Sequence, residues 1–125
     1  MLSDRVVARF LMGATVEGNL ILFDSSTGIL KIRIGSQKRE LDCSALKAIF
    51  FLRRPAALPL PESRLKPGGK KVCVTFADGE KITGYSYGLR PLQKGFYLFP
   101  IHTKDRNERI YVIRKNTLRI KTEEK

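Results

Sequence analysis

The sequence predicts an all-β protein: two tandem small β-barrels packed together and joined by a proline-rich linker. Three observations carry that expectation. A pattern of apolar residues and glycines recurs at a fixed offset, apolar positions alternate with polar ones at period two, and prolines cluster between the two copies. No segment spaces its apolar residues as a helix does.

The recurring pattern is V-x-x-x-F-x-x-G-x-x-V-x-G. It starts at Val6-Val7-Ala8-Arg9-Phe10 and ends at Val16-Glu17-Gly18. Adding 66 gives Val72 to Phe76, Asp78-Gly79-Glu80, and Ile82-Thr83-Gly84. Val6, Ala8 and Phe10 alternate with Arg5, Val7 and Arg9, as in a half-buried strand. Asp78-Gly79 marks a tight hairpin turn, and Gly13 does the same in the first copy. Gly18 and Gly84 fall inside the following strand, where a missing side chain admits a bulge or bend. Further strands are expected near residues 29–34, 39–43 and 46–52, then near 95–99, 109–113 and 117–121. Gly28-Ile29-Leu30 is matched to Gly95-Phe96-Tyr97 at offset 67, and Leu41 and Cys43 to Ile110 and Val112.

Residues 53–62 hold three of the six prolines, and Pro67-Gly68-Gly69 follow. Each proline removes a ladder donor, so this stretch cannot be a central strand. The expected division is a first barrel at 1–54, a linker at 55–69 and a second barrel at 70–125. The 125 residues are 42% hydrophobic, which suffices for a core, and no run approaches the roughly 20 apolar residues that span a bilayer. The first residues lack the apolar run of a signal peptide. Cys43 and Cys73 form neither a disulfide framework nor a metal site, so a cytoplasmic protein with reduced thiols is expected.

Catalysis finds little support. His102 is the only histidine and has no evident partner, and a general base needs a positioned one. Cys43 and Cys73 read as small core residues, and Asp78 and Glu80 as hairpin chemistry. No metal, cofactor or catalytic residue is assigned. Charge is more informative, because 24 Lys and Arg against 12 Asp and Glu give a net +12. The excess is +4 over residues 1–54, +2 over 55–70 and +6 over 71–125. It is densest between Arg90 and Lys121. There Arg90, Lys94, Lys104, Arg106, Arg109, Arg114 and Lys115 would hold a phosphate backbone. Tyr85 and Tyr87, with Tyr97 nearby, would stack on bases, while Phe96 and Phe99 read as core. The leading expectation is a non-enzymatic module that binds an anionic partner, preferably RNA or single-stranded DNA.

Three resemblances add to this. Val6 to Leu30, with Phe23-Asp24 ahead of Gly28-Ile29-Leu30, resembles the first half of an Sm-like barrel, and Gly28 stands where that family has Asn. The likeness implies small Sm-like or SH3-like barrels, and fold does not fix function. The set L-K-A-I-F-F at 46–51, D-G-E at 78–80 with Gly84-Tyr85, G-F-Y-L-F-P at 95–100 and N-E-R-I-Y-V at 107–112 covers most of the chain. It resembles a bacterial domain family of unknown function, seen mostly in delta-proteobacteria and often beside signalling modules. That implies a signalling or motility adaptor with a protein partner. Finally, Arg5-x-x-x-Arg9 with Asp24, Ser26 and Gly28 is similar to the motif pair with which PilZ domains grip cyclic di-GMP. It implies a cyclic dinucleotide as the alternative ligand.

Overall fold

Side-chain alternation in the chain becomes ten strands in a computed structural model that describes residues 4–52, 69–87, 94–100 and 107–123. The first five strands are β1 (Arg5–Phe10), β2 (Thr15–Asp24), β3 (Ile29–Ile34), β4 (Gln37–Asp42) and β5 (Leu46–Leu52). The second five are β6 (Lys70–Phe76), β7 (Lys81–Ser86), β8 (Gly95–Pro100), β9 (Asn107–Ile113) and β10 (Thr117–Glu123). Single 3-10 turns, Cys43–Ala45 and Arg114–Asn116, lead into β5 and β10. No helix among the described residues is long and apolar enough to cross a membrane. Most of the expected linker lies outside the described residues, as do His102, Arg90, Lys104 and Arg106.

All ten strands belong to one antiparallel sheet, ordered β10-β6-β7-β8-β9-β5-β1-β2-β3-β4, which does not close on itself. The two sets therefore meet by backbone hydrogen bonding between β5 and β9 and not by packing of two separate surfaces. The composition of β5 explains this seam. Its run Leu-Lys-Ala-Ile-Phe-Phe is buried at every position, so the strand needs cover on both faces. Leu46, Ile49 and Phe51 face one core with Val6, Ala8, Leu30 and Ile32. Ala48 and Phe50 face the other with Val72, Val74, Phe76 and Leu98. Strand β9 divides likewise, Tyr111 and Ile113 to the first core and Ile110 and Val112 to the second.

Pairing within the two sets runs in parallel. Val6↔Gly18 and Ala8↔Val16 on β1–β2 recur at offset 66 as Val72↔Gly84 and Val74↔Ile82 on β6–β7. Phe10 N donates to Ala14 O and Phe76 N to Glu80 O, both at 2.8 Å, around the glycine turns at Gly13 and Gly79. The offset stays 66 into β3 and β8, where buried Leu30 and Ile32 correspond to buried Phe96 and Leu98. The sequence match at offset 67 is thereby corrected to Ile29 with Gly95. Leu41 corresponds to Val112, at offset 71, in place of Ile110. The extra residues fall between β8 and β9, which residues 101–106 connect where Gly35-Ser36 join β3 to β4.

Gly18 and Gly84 are required by close approach. A Cβ on either would lie 2.7 Å from a backbone carbonyl, of Arg33 or of Phe99. These contacts are with backbone and cannot swing aside. Alanine at Gly84 is expected to lower stability by about 2 kcal/mol or more, read as a urea midpoint shift. A change below about 0.5 kcal/mol would refute the close-approach argument.

Candidate functional site

Three turns converge beside the seam. They are the β2–β3 turn from Ser25 to Gly28, the 3-10 turn at Cys43–Ala45 and the 3-10 turn at Arg114–Asn116. Backbone bonds fix each set, Cys43 N donating to Gly28 O at 2.9 Å and Arg114 N to Lys94 O at 3.0 Å. At these turns two described side chains cross between the sets. Lys94 Nζ donates to Ser26 O at 2.8 Å, and Asn116 Nδ2 donates to Ser44 O and Leu46 O at 2.9 and 2.7 Å. The result is a cleft of about 430 Å³ with Lys94, Arg114 and Lys115 along it and Phe23, Tyr111 and Ile113 as its apolar wall.

The one acid among the described residues of the cleft, Asp42, accepts from Ser44 N at 2.9 Å. That backbone bond, with the Ser44 hydroxyl and the charge of Lys115, holds its carboxyl below the ordinary value. Burial, and secondarily Asp42, pushes the Cys43 thiol up to about 11, so this buried sulfur is a neutral wall group. Its place in a 3-10 turn differs from the strand expected for it. Among the described residues no cluster of three His, Cys, Asp or Glu could hold a metal.

A second recess of about 370 Å³ adjoins the cleft and shares Ser25 and Tyr111 with it. Its walls are Tyr87, Tyr97, Phe99 and Phe96, with Gly95 at the divide. Ring contacts link Tyr87 to Phe99 at 5.6 Å, Tyr97 to Tyr111 at 5.0 Å, and Tyr111 to Phe23 at 4.8 Å. All three are edge-to-face, a favoured aromatic geometry. Phe99, expected in the core, is half-buried on this outer face, because Phe96 and Leu98 take the inward positions of β8.

The expected phosphate-binding residues thus separate. Lys94, Arg114 and Lys115 come together at the cleft, and Tyr87 lines the recess. Tyr85 lies on β7 opposite Phe99. Arg109 stands over the rings of Phe51 at 4.1 Å and Tyr97 at 5.8 Å, bonded to Glu108. Tyr111 and Phe23 join the site without having been singled out.

The alternative set does not converge. Arg5 is paired with Glu17 at 2.9 Å and bonded to Asn19, and Arg9 is paired with Glu80 at 3.0 Å. Arg9 lies opposite Thr15, at the end of β2 remote from Asp24. Asp24 accepts from both the Ser26 amide and hydroxyl, which closes its own turn and lowers its carboxyl pKa. Gly28 adopts φ +73° there and lines the cleft.

No curated protein and no solved structure matches the chain. A family match covers residues 2–123, both sets of strands and the turns that build the cleft. The chain therefore belongs to the family of unknown function DUF6982.

Proposed function

We propose that the protein is a non-enzymatic module that binds single-stranded nucleic acid along the cleft and its adjoining aromatic recess. One observation carries the reading: Lys94, Arg114 and Lys115 border a wall of rings that continues from Phe23 and Tyr111 to Tyr97 and Tyr87. Cations hold phosphate, and exposed rings stack on unpaired bases whatever their identity. The strand order 5-1-2-3-4, repeated as 10-6-7-8-9, supports reading 1–54 and 70–125 as two Sm-like or SH3-like units in tandem, opened along a shared seam. A protein-adaptor role finds support in β4 and β10, which end the strand order. Exposed Lys38, Arg39 and Glu40 on β4, and Arg119 and Lys121 on β10, weigh against strand addition there.

The test is fluorescence anisotropy with labelled single-stranded DNA and RNA across a salt series. Three phosphate contacts predict that log K falls against log salt with a slope of about −2. Replacing Lys94, Arg114 and Lys115 together by alanine is expected to flatten that slope and to weaken low-salt binding about a hundredfold. Circular dichroism checks that the fold persists. Absence of binding at low salt by the parent protein would overturn the reading.

A further inference from the structure

A carboxylate in a cleft that holds phosphate works against the cations around it. Asp42 lines the cleft together with Lys94, Arg114 and Lys115, and its charge repels any phosphate they attract. The Ser44 amide and hydroxyl, with the charge of Lys115, keep it ionised by holding its pKa low.

The turn it caps does not account for it. Asp42 precedes the 3-10 turn Cys43–Ala45 and accepts from Ser44 N at 2.9 Å. By the pairing registers Asp42, opposite Ile29, corresponds to Ile113, opposite Gly95. Ile113 starts the equivalent turn, Arg114–Asn116, with a side chain that cannot hydrogen-bond. Its backbone angles, φ −84° and ψ 105°, are close to the −85° and 117° of Asp42. An apolar residue therefore suffices at this position. Ile113 packs into the first core, whereas Asp42 is exposed, and both line the cleft.

An ionised carboxylate accepts up to about four hydrogen bonds, so those from Ser44 leave capacity for a ligand's donors. Stacking on rings is blind to base identity, but the pairing edge of an unpaired base is not. Guanine alone presents two adjacent donors there, N1–H and the N2 amino group, spaced to match two carboxylate oxygens. Adenine and cytosine offer an amino group beside an acceptor, and thymine an N–H between two acceptors, which a carboxylate repels. Resting on the nucleic-acid reading, we infer that the cleft selects guanine. Asp42 accepts from N1–H and N2–H of one base packed on the Phe23 and Tyr111 wall, and the three cations hold the adjoining phosphates. The cleft volume of about 430 Å³ lies within the roughly 300–1,000 Å³ of small-ligand sites.

Deoxythymidine octamers with one interior residue replaced by deoxyguanosine, deoxyinosine, deoxyadenosine or deoxycytidine compete against labelled all-thymidine octamer. An oligouridine octamer is the RNA arm. We expect guanine to raise affinity about tenfold, the usual worth of one bidentate base contact. Inosine, which lacks the N2 amino group, should gain about threefold. Asp42→Asn preserves the cap, because asparagine caps as well as aspartate. It removes one of the paired acceptors and a negative charge, so two effects of opposite sign follow. The guanine preference should fall below about twofold, while the all-thymidine octamer should bind about twofold tighter. No guanine preference in the parent, or the same change for every octamer in Asp42→Asn, overturns the guanine site and leaves nucleic-acid binding standing. A preference for RNA that disappears in Asp42→Asn without any base preference also overturns it, and assigns the carboxylate to the ribose 2′-hydroxyl. If no octamer binds the parent protein at low salt, both readings fall together.

Discussion

Phe51→Ala is expected to destabilise the protein by about 4 kcal/mol, the usual cost of removing a large buried ring. Phe51 is 2% exposed on β5 and packs in the first core. Its ring contacts Phe23 at 6.2 Å and Tyr97 at 6.1 Å, and the Arg109 guanidinium lies over it at 4.1 Å. Truncation leaves a cavity at the seam and strips Arg109 of a cation–π partner. Domains commonly have only about 5–15 kcal/mol in total, so this is a large share. The melting temperature should fall by about 15 °C. Phe51→Leu, which refills most of the volume, should retain more than half of the loss. If Phe51→Leu melts close to the parent, filled volume and not the ring contacts holds the seam.

The second large effect comes from Lys47, whose side chain is 2% exposed in the middle of an apolar strand. It reaches across to the β6–β7 turn, pairing with Asp78 and donating to Glu80 at 2.8 Å. Glu80 also holds Arg9. Burial opposes the charge on Lys47, and the hydrogen bonds it donates to Asp78 and Glu80, with their charges, outweigh it, so its pKa is raised. Lys47→Met keeps the bulk and removes the bonds, at an expected cost of about 2 kcal/mol.

The pH dependence of that loss has a definite sign. Asp78 is lowered, chiefly by the Lys47 hydrogen bond. Partial burial would raise Glu80, but Lys47 and Arg9 prevail and leave it lowered. Depressed carboxylates contribute their stability above the ordinary carboxylate range, about 4, and lose it as pH falls through their folded values. Lys47 contributes below its ordinary value near 10.4 and loses its contribution only above that. Urea midpoints of parent and variant should therefore differ most near neutrality and converge on acidification below about pH 4. A constant difference down to pH 2 would exclude the ion pairs as its source.

Much of the strand pattern was legible in the sequence, because period two survives whatever the strands pair with. Residues 29–34 and 46–52 match β3 and β5 in full. The face assignments of β8 were less legible. Matching Gly28 to Gly95 by identity shifts the comparison by one residue, and such a shift inverts every side chain on a strand. The site was harder, since seven cations close in sequence need not be close in space. Lys94, Arg114 and Lys115 meet because turns hold them, while Arg109 is turned onto Phe51 by strand alternation. Tyr111 reads as a core residue in any strand pattern, and only the β5–β9 seam makes it a wall of the cleft. Lys47 did leave a signal: a lone cation inside Leu-Lys-Ala-Ile-Phe-Phe requires an acid, and Asp78-Gly79-Glu80 is a turn rich in them.

The β5–β9 seam also sets how the molecule comes apart. Each half lends residues to the other's interior: Ala48 and Phe50 fill the second core, Tyr111 and Ile113 the first. Neither half is complete alone, so the described sheet melts as one cooperative unit and not as two beads. Its contacts Phe51↔Arg109 and Ala48↔Val112 also join residues distant along the chain, which delays their formation until both halves are assembled. A chain severed between Leu52 and Gly69 becomes a complementation pair, two fragments that recognise each other by one shared strand edge.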